Sequence, residues 1–151
     1  MRAVIQRVAR ATVTVDQQVV GEIEQGLLVF VGVGHEDGVS AVRALVDKML
    51  GLRIFPDEHA RMNRSVVDVG GSVLIVSQFT LLADIRKGRR PSFTGAAPPD
   101  RAAELVDAVV ALVRSHGVPV ATGSFGAMMD VELLNAGPVT IVMDVASGRV
   151  L

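Results

Sequence analysis

Apolar and polar residues alternate through residues 2–8 and again through 11–16, the period of a half-buried strand. Asp16-Gln17-Gln18 interrupts the second run, and Val19 to Ile23 returns in the same rhythm, so a hairpin is expected there. Leu27 to Val33 is apolar on both faces and reads as a buried strand, closed by Gly32 and Gly34. The period then changes: Val42, Leu45, Val46, Met49 and Leu50 fall at i, i+3, i+4, i+7 and i+8, the stripe of a helix packed on one face, with Arg43, Asp47 and Lys48 on its wet side. Phe55-Pro56-Asp57-Glu58 opens a polar loop that runs to about Arg64. Val66-Val67-Asp68-Val69, turning through Gly70-Gly71 into Ser72 to Val76, predicts a second hairpin. Another helix is expected from Pro99-Asp100, which suit a first turn. It would bury Leu105, Val106, Val109, Val110 and Val113 and stop at His116-Gly117, with Pro119 just beyond. Strands are expected over 118–121, 129–134 and 139–145, and the tail 146–151 is expected to fray.

Helices and strands do not alternate strictly, which favours an α+β fold, a mainly antiparallel, barrel-like sheet with two principal helices, over a doubly wound one. No repeat, low-complexity stretch or linker divides the chain, so residues 1–151 are expected to form one domain. At 50% hydrophobic content the core can be substantial, yet no apolar run is long enough to span a bilayer. Met1 to Arg7 alternates like a strand rather than forming a secretory signal, and a cytoplasmic location is expected. The absence of cysteine removes disulfides, thiolate metal sites and a cysteine nucleophile together. A net charge of -1 argues against a protein held to nucleic acid by bulk electrostatics. With 3% aromatic residues and neither Trp nor Tyr, a base-stacking platform is not expected either, so any RNA contact should be local.

Two polar clusters adjoin strongly apolar runs: Ser77-Gln78-Phe79-Thr80-Leu81 after Val73 to Val76, and Asn135-Ala136-Gly137-Pro138-Val139-Thr140 before Ile141 to Val145. A hydroxyl or amide withdrawn from water without a partner costs about 1–3 kcal/mol. Such clusters are therefore either satisfied internally or held for a ligand, and these two point to a ligand. No phosphate-binding glycine loop, nucleophile elbow or helically spaced histidine pair is present. His35, His59 and His116 read as surface histidines, and no metal or cofactor is expected. Thr80 is either structural or a catalytic or positioning group, because an internal threonine hydroxyl is inert without an adjacent base; Gln78 divides the same way. Backbone N–H groups of Phe79 and Thr80 at a strand end could bind the oxyanion of an ester under hydrolysis. Gly137-Pro138 is either a plain turn or a rigid wall whose carbonyls face a stereocentre. Residues 82–99 carry no period, and a connection of that length is more often functional than incidental. Within it, Arg86, Lys87, Arg89 and Arg90 form either a solvated loop or a set of phosphate contacts.

The chain resembles the D-aminoacyl-tRNA deacylase family along nearly its whole length. The likeness runs from Met1-Arg2-Ala3-Val4-Ile5-Gln6-Arg7-Val8 through Leu52-Arg53-Ile54-Phe55 and Met62-Asn63. It is most specific at Ser77-Gln78-Phe79-Thr80-Leu81, with Lys87-Gly88-Arg89-Arg90-Pro91-Ser92-Phe93 following, and at Thr122 to Met129 with Asn135 and Gly137-Pro138-Val139-Thr140. Ala136, where an aspartate is common, and Glu132, where a small polar residue is frequent, are modest departures. The resemblance implies a homodimer that hydrolyses the ester joining a D-amino acid, or glycine, to the 3′ end of tRNA. It implies a pocket floor of Ser77-Gln78-Phe79-Thr80-Leu81 with Met129 in substrate binding, and Lys87, Arg89 and Arg90 stay the candidates for tRNA phosphate contacts. It further implies that Gly137-Pro138 is cis and enters the partner subunit's pocket to exclude L-amino acids, while the ribose hydroxyl beside the ester helps to activate attack.

Overall fold

A single long strand, β1 (Arg2–Val15), is the spine of the fold. In the computed structural model, which describes Met1–Leu151, its first half pairs antiparallel with β3 (Gly26–Gly32) and its second half with β2 (Gln18–Ile23). The break expected near residues 9–10 is absent, because Val8, Ala11 and Val13 all stay buried on one strand. Helix α1 (Val39–Leu50) follows, burying Val42, Leu45, Val46, Met49 and Leu50 as the spacing predicts. Short strands β4 (Phe55–Pro56) and β5 (Met62–Arg64) pair within the segment expected to be a plain loop. After β6 (Ser72–Ser77) come a 3-10 turn at Phe79–Leu82, helix α2 (Pro99–Ser115) and the short strand β7 (Val120–Thr122). Strand β8 (Asp130–Ala146) then runs the length of β1, and β9 (Arg149–Val150) folds back on it.

Strand order is β7-β6-β3-β1-β8-β9, with β2 on β1. The sheet is mainly antiparallel, but β6 lies parallel to both β3 and β7. It curls into a half-barrel, and Gly21 of β2 comes so close to β7 that a Cβ there would sit 2.3 Å from the Thr122 carbonyl oxygen. One face packs α1 and α2 through Leu27, Val29, Val31, Leu45, Met49, Val109 and Val113. The other encloses a smaller core of Val8, Ala11, Val13, Ile23, Leu28, Leu74 and Val76 inside the curl. Leu27 and Leu28 thus serve different cores, which is why their strand reads as apolar on both faces.

Three further expectations need correction. Val66–Gly70 is a turn and not a strand: Asp68 Oδ2 accepts from Ser65 N at 2.7 Å, Ser65 Oγ accepts from Asp68 N at 3.1 Å, and Gly71 N donates to the Val66 carbonyl at 2.9 Å. This local side-chain bonding outcompetes a strand ladder, and β6 finds its partners in parallel instead. The segments 129–134 and 139–145 are one strand with a bulge between them: Gln6 faces Thr140 while Val8 already faces Asn135. The tail does not fray, since Leu151 N donates to the Asp144 carbonyl at 2.9 Å.

Candidate active site

Parallel pairing carries β6 to the level of Val31, which faces Ser77, and the ladder ends where Gln78 N donates to the Val31 carbonyl at 2.8 Å. The chain then tightens into the 3-10 turn. Leu81 N donates to the Gln78 carbonyl at 3.3 Å and Ala83 N to the Thr80 carbonyl at 3.1 Å. The N–H groups of Phe79 and Thr80 have no protein acceptor, as expected for the first residues of such a turn. Arg2 steadies the far end by donating Nη1 to the Leu81 carbonyl at 3.3 Å. Its guanidinium also forks onto Asp144 at 2.6 and 3.0 Å; that hydrogen-bonded pairing holds the Asp144 carboxyl below its ordinary range and raises Arg2.

These groups open onto a cleft of about 840 Å³, within the usual range for small-ligand sites. Val31, Val33 and Val76 form its back, the start of α2 with Pro98, Ala102 and Val106 one side, and Phe125, Met128, Met129 and Val131 the other. Phe93 enters from the long loop and meets Phe79 edge to face, with ring centroids 4.9 Å apart at 69°. His35 is the one ionisable side chain lining the cleft. Its Nε2 lies 2.9 Å from the Thr94 carbonyl oxygen, an acceptor only, so this nitrogen carries the proton. The Gln78 carboxamide donates to the Thr80 hydroxyl, which has no other partner. Neither a carboxylate nor an imidazole hydrogen-bonds to Thr80, so no base is in place on its hydroxyl to make it a nucleophile.

Ser77, Gln78, Phe79, Thr80 and Met129 are thus brought together in one cleft. Gly137 and Pro138 are not in it. They sit on the exposed bulge of β8, joined by a cis peptide bond. Arg7 ties that bulge down, donating Nε and Nη2 to the Ala136 carbonyl at 2.9 and 2.6 Å and Nη1 to the Ile54 carbonyl at 2.5 Å. Asn135 closes it from the other side, accepting from Val139 N at 2.7 Å and donating to the Val139 carbonyl and the Thr140 hydroxyl at 3.1 Å each. The polarity of Asn135 and Thr140, which suggested a ligand, is therefore internal architecture. A side chain is excluded at Gly137, where φ is +152° and a Cβ would lie 2.8 Å from Arg7 Nη2.

Lys87, Arg89 and Arg90 also lie outside the cleft, on an exposed loop pinched at its base by paired hydrogen bonds between Asp84 and Ser92 of 2.7 and 3.0 Å. Arg86 is engaged by Asp84, whose carboxyl it holds far below the ordinary value, chiefly through side-chain hydrogen bonds. The other three cations make no ion pair and face solvent. His35 is exposed, as expected of a surface histidine, and it also lines the cleft. Phe93, Phe125 and Met128 were not foreseen as site residues: a low aromatic content hides that three of the five phenylalanines converge here. The matching runs Lys87 to Phe93 and Thr122 to Met129 were the available signals for them.

The family model for D-Tyr-tRNA(Tyr) deacylase matches residues 4–144. The chain belongs to the D-aminoacyl-tRNA deacylase family. It is 57% identical over 146 residues to the D-aminoacyl-tRNA deacylase of Herpetosiphon aurantiacus, covering 97% of this chain and 95% of that one. The D-aminoacyl-tRNA deacylase of Koribacter versatilis is 58% identical over 144 residues, 95% of this chain and 97% of its own. Among solved structures, one titled c-Myc DNA Unwinding Element Binding Protein superposes with a TM-score of 0.92 at 37% identity, covering 97% of this chain and all of that one. A probable eukaryotic D-amino acid tRNA deacylase superposes at 0.81 with 22% identity, a likeness of fold. As a member of the D-aminoacyl-tRNA deacylase family the chain is an enzyme, a hydrolase.

Proposed function

We propose that this hydrolase cleaves the ester between a D-amino acid and the 3′ end of tRNA. Water adds to the acyl carbon, the bond to the ribose oxygen breaks, and free D-amino acid and intact tRNA leave. The observation that carries the reading is the pair of unengaged N–H groups of Phe79 and Thr80 beside a Thr80 hydroxyl that no base touches. Such donors stabilise a tetrahedral oxyanion without acid or base. The ribose hydroxyl beside the ester helps to activate the water, so the protein needs no strong base of its own. Gln78 orients Thr80, Ser77 and Met129 line the acyl end, and glycyl esters fit the same cleft.

Chirality is judged by the cis Gly137-Pro138 segment of a second copy in a homodimer, whose carbonyls meet the substrate's α-centre and leave no room for an L side chain. Two features support this reading. The bulge is exposed and absent from the walls of its own chain's cleft, and Arg7 and Asn135 hold it in one shape. Lys87, Arg89 and Arg90 contact tRNA phosphates, supplying position rather than sequence choice. A cytoplasmic site of action agrees with this substrate, and no helix is long and apolar enough to cross a membrane.

The test is ester loss from D-Tyr-tRNA and L-Tyr-tRNA with wild-type protein and Thr80→Ala. Hydrolysis of the D ester alone, retained within about tenfold in the variant, is expected, since loss of a true nucleophile costs several orders of magnitude. An acyl-enzyme trapped on Thr80 would overturn the mechanism. Equal cleavage of both esters, or tight binding without turnover, would overturn the function.

A further inference from the structure

Gly123 stands between β7 and the loop that leads to Met129, and nothing in its backbone demands glycine: it is not among the residues with positive φ. What demands it is a neighbour. A Cβ at this position would lie 2.6 Å from Met129 Sδ, with Val13 Cγ1 and Val76 Cγ1 behind at 3.7 Å each. The backbone is fixed as well, because Gly123 N donates to the Ile75 carbonyl at 2.9 Å, extending the β6–β7 ladder in which Ile75 faces Thr122. Val13 and Val76 are almost fully buried in the smaller core and cannot retreat. The methionine is the mobile member, with three rotatable bonds and a polarizable sulfur that adapts to the space offered.

We propose that Gly123 is a positioning residue that sets the depth of the cleft: its missing side chain gives the Met129 thioether a seat against β6 and so keeps the space beyond Ser77 free for substrate. The inference rests on the reading of that cleft as the ester site. With any side chain at 123 the seat closes. Neither valine nor the ladder yields, so the sulfur is displaced, and the cleft that Met129 already lines offers it room. The fold survives this movement, because what moves is the end of one flexible side chain. Substrate room is what is lost.

The experiment is a double-mutant cycle of Gly123→Ala and Met129→Ala, read in three ways: kcat and KM for D-Tyr-tRNA, binding of an amide-linked, non-hydrolysable analogue of D-tyrosyl-adenosine, and the thermal midpoint. In the wild-type background Gly123→Ala is expected to lower kcat/KM at least tenfold, mainly through KM, and to weaken the analogue by the same factor with little change in the midpoint. In the Met129→Ala background, where no sulfur contests the seat, the same change should cost less than twofold. A loss of equal size in both backgrounds, or none in either, overturns the inference while the wild-type enzyme stays active. A wild-type chain that neither cleaves the ester nor binds the analogue overturns the inference and the proposed function together.

Discussion

Replacing Asn135 by alanine tests whether the β8 bulge is held by this one side chain. The carboxamide makes three hydrogen bonds inside the bulge, to Val139 N at 2.7 Å and to the Val139 carbonyl and Thr140 hydroxyl at 3.1 Å each. The Thr140 hydroxyl is exposed and also accepts from Gln6 Nε2 at 3.2 Å, so its loss is nearly free. Val139 is buried, with 9% of its surface exposed, and its N–H and carbonyl lose their partners in a place water reaches poorly. A buried backbone group left unpaired costs about 1–3 kcal/mol, and a retained hydrogen bond is worth about 0.5–1.5. Together these give a destabilisation of about 2–4 kcal/mol. For a domain of this length that is a fall in the thermal midpoint of roughly 5–15 °C. Urea unfolding followed by circular dichroism reads the free energy directly. Asn135→Asp serves as the control, since it keeps the acceptor for Val139 N and should lose about half as much. An alanine variant within about 0.5 kcal/mol of wild type would refute the reasoning, for that is the range of an ordinary surface change.

Gly21→Ala should destabilise by about 1–3 kcal/mol or more in urea, because a Cβ 2.3 Å from the Thr122 carbonyl oxygen forces β2 away from β7; a neutral effect would mean that the curl is not closed there. Lys87→Ala/Arg89→Ala/Arg90→Ala should weaken tRNA binding and flatten the dependence of log affinity on log salt by about 2–3, at about 0.7–0.9 per phosphate contact. Filter binding across a salt series measures this, and an unchanged slope would show that the loop does not touch phosphate. Asp57, Asp68, Asp84 and Asp144 all titrate below the ordinary 3.8 in the folded chain. The leading causes are the backbone N–H of Arg61, the backbone N–H of Ser65, the Arg86 side chain and the Arg2 side chain respectively. Depressed carboxyls stabilise the fold fully above their unfolded pKa and lose that contribution as pH falls through the folded values. The urea midpoint should therefore be level from pH 7 to 5 and drop below pH 4, with Asp144→Asn removing part of the drop; a midpoint that rises on acidification would contradict the sign.

Local periodicity was enough to locate both helices within a residue or two, since an amphipathic stripe such as Val42-Leu45-Val46-Met49 buries one face whatever lies opposite. It also located β2, β3 and β6, and the motif at Ser77 to Thr80 marked the floor of the cleft. Pattern failed where a long-range partner or a local polar bond overrode it. Val66 to Val69 has strand-forming residues, but the reciprocal Ser65–Asp68 bonds fold it into a turn. Asn135 to Thr140 reads as polarity awaiting a ligand, because nothing local reveals that Arg7, more than a hundred residues earlier, fills the space beneath Ala136.

Residue order alone determined which segments could be strand or helix, the lack of cysteine chemistry, and the two motifs that carry the family likeness. Only the tertiary structure decided that β6 would pair in parallel, that the sheet would curl until Gly21 met Thr122, and that Phe79, Phe93, Phe125 and His35 would share one cleft. The physical reason is one of range. Propensity and amphipathic spacing act over a few residues, whereas a cleft is what remains between elements once their buried faces have been satisfied by segments far away in the chain.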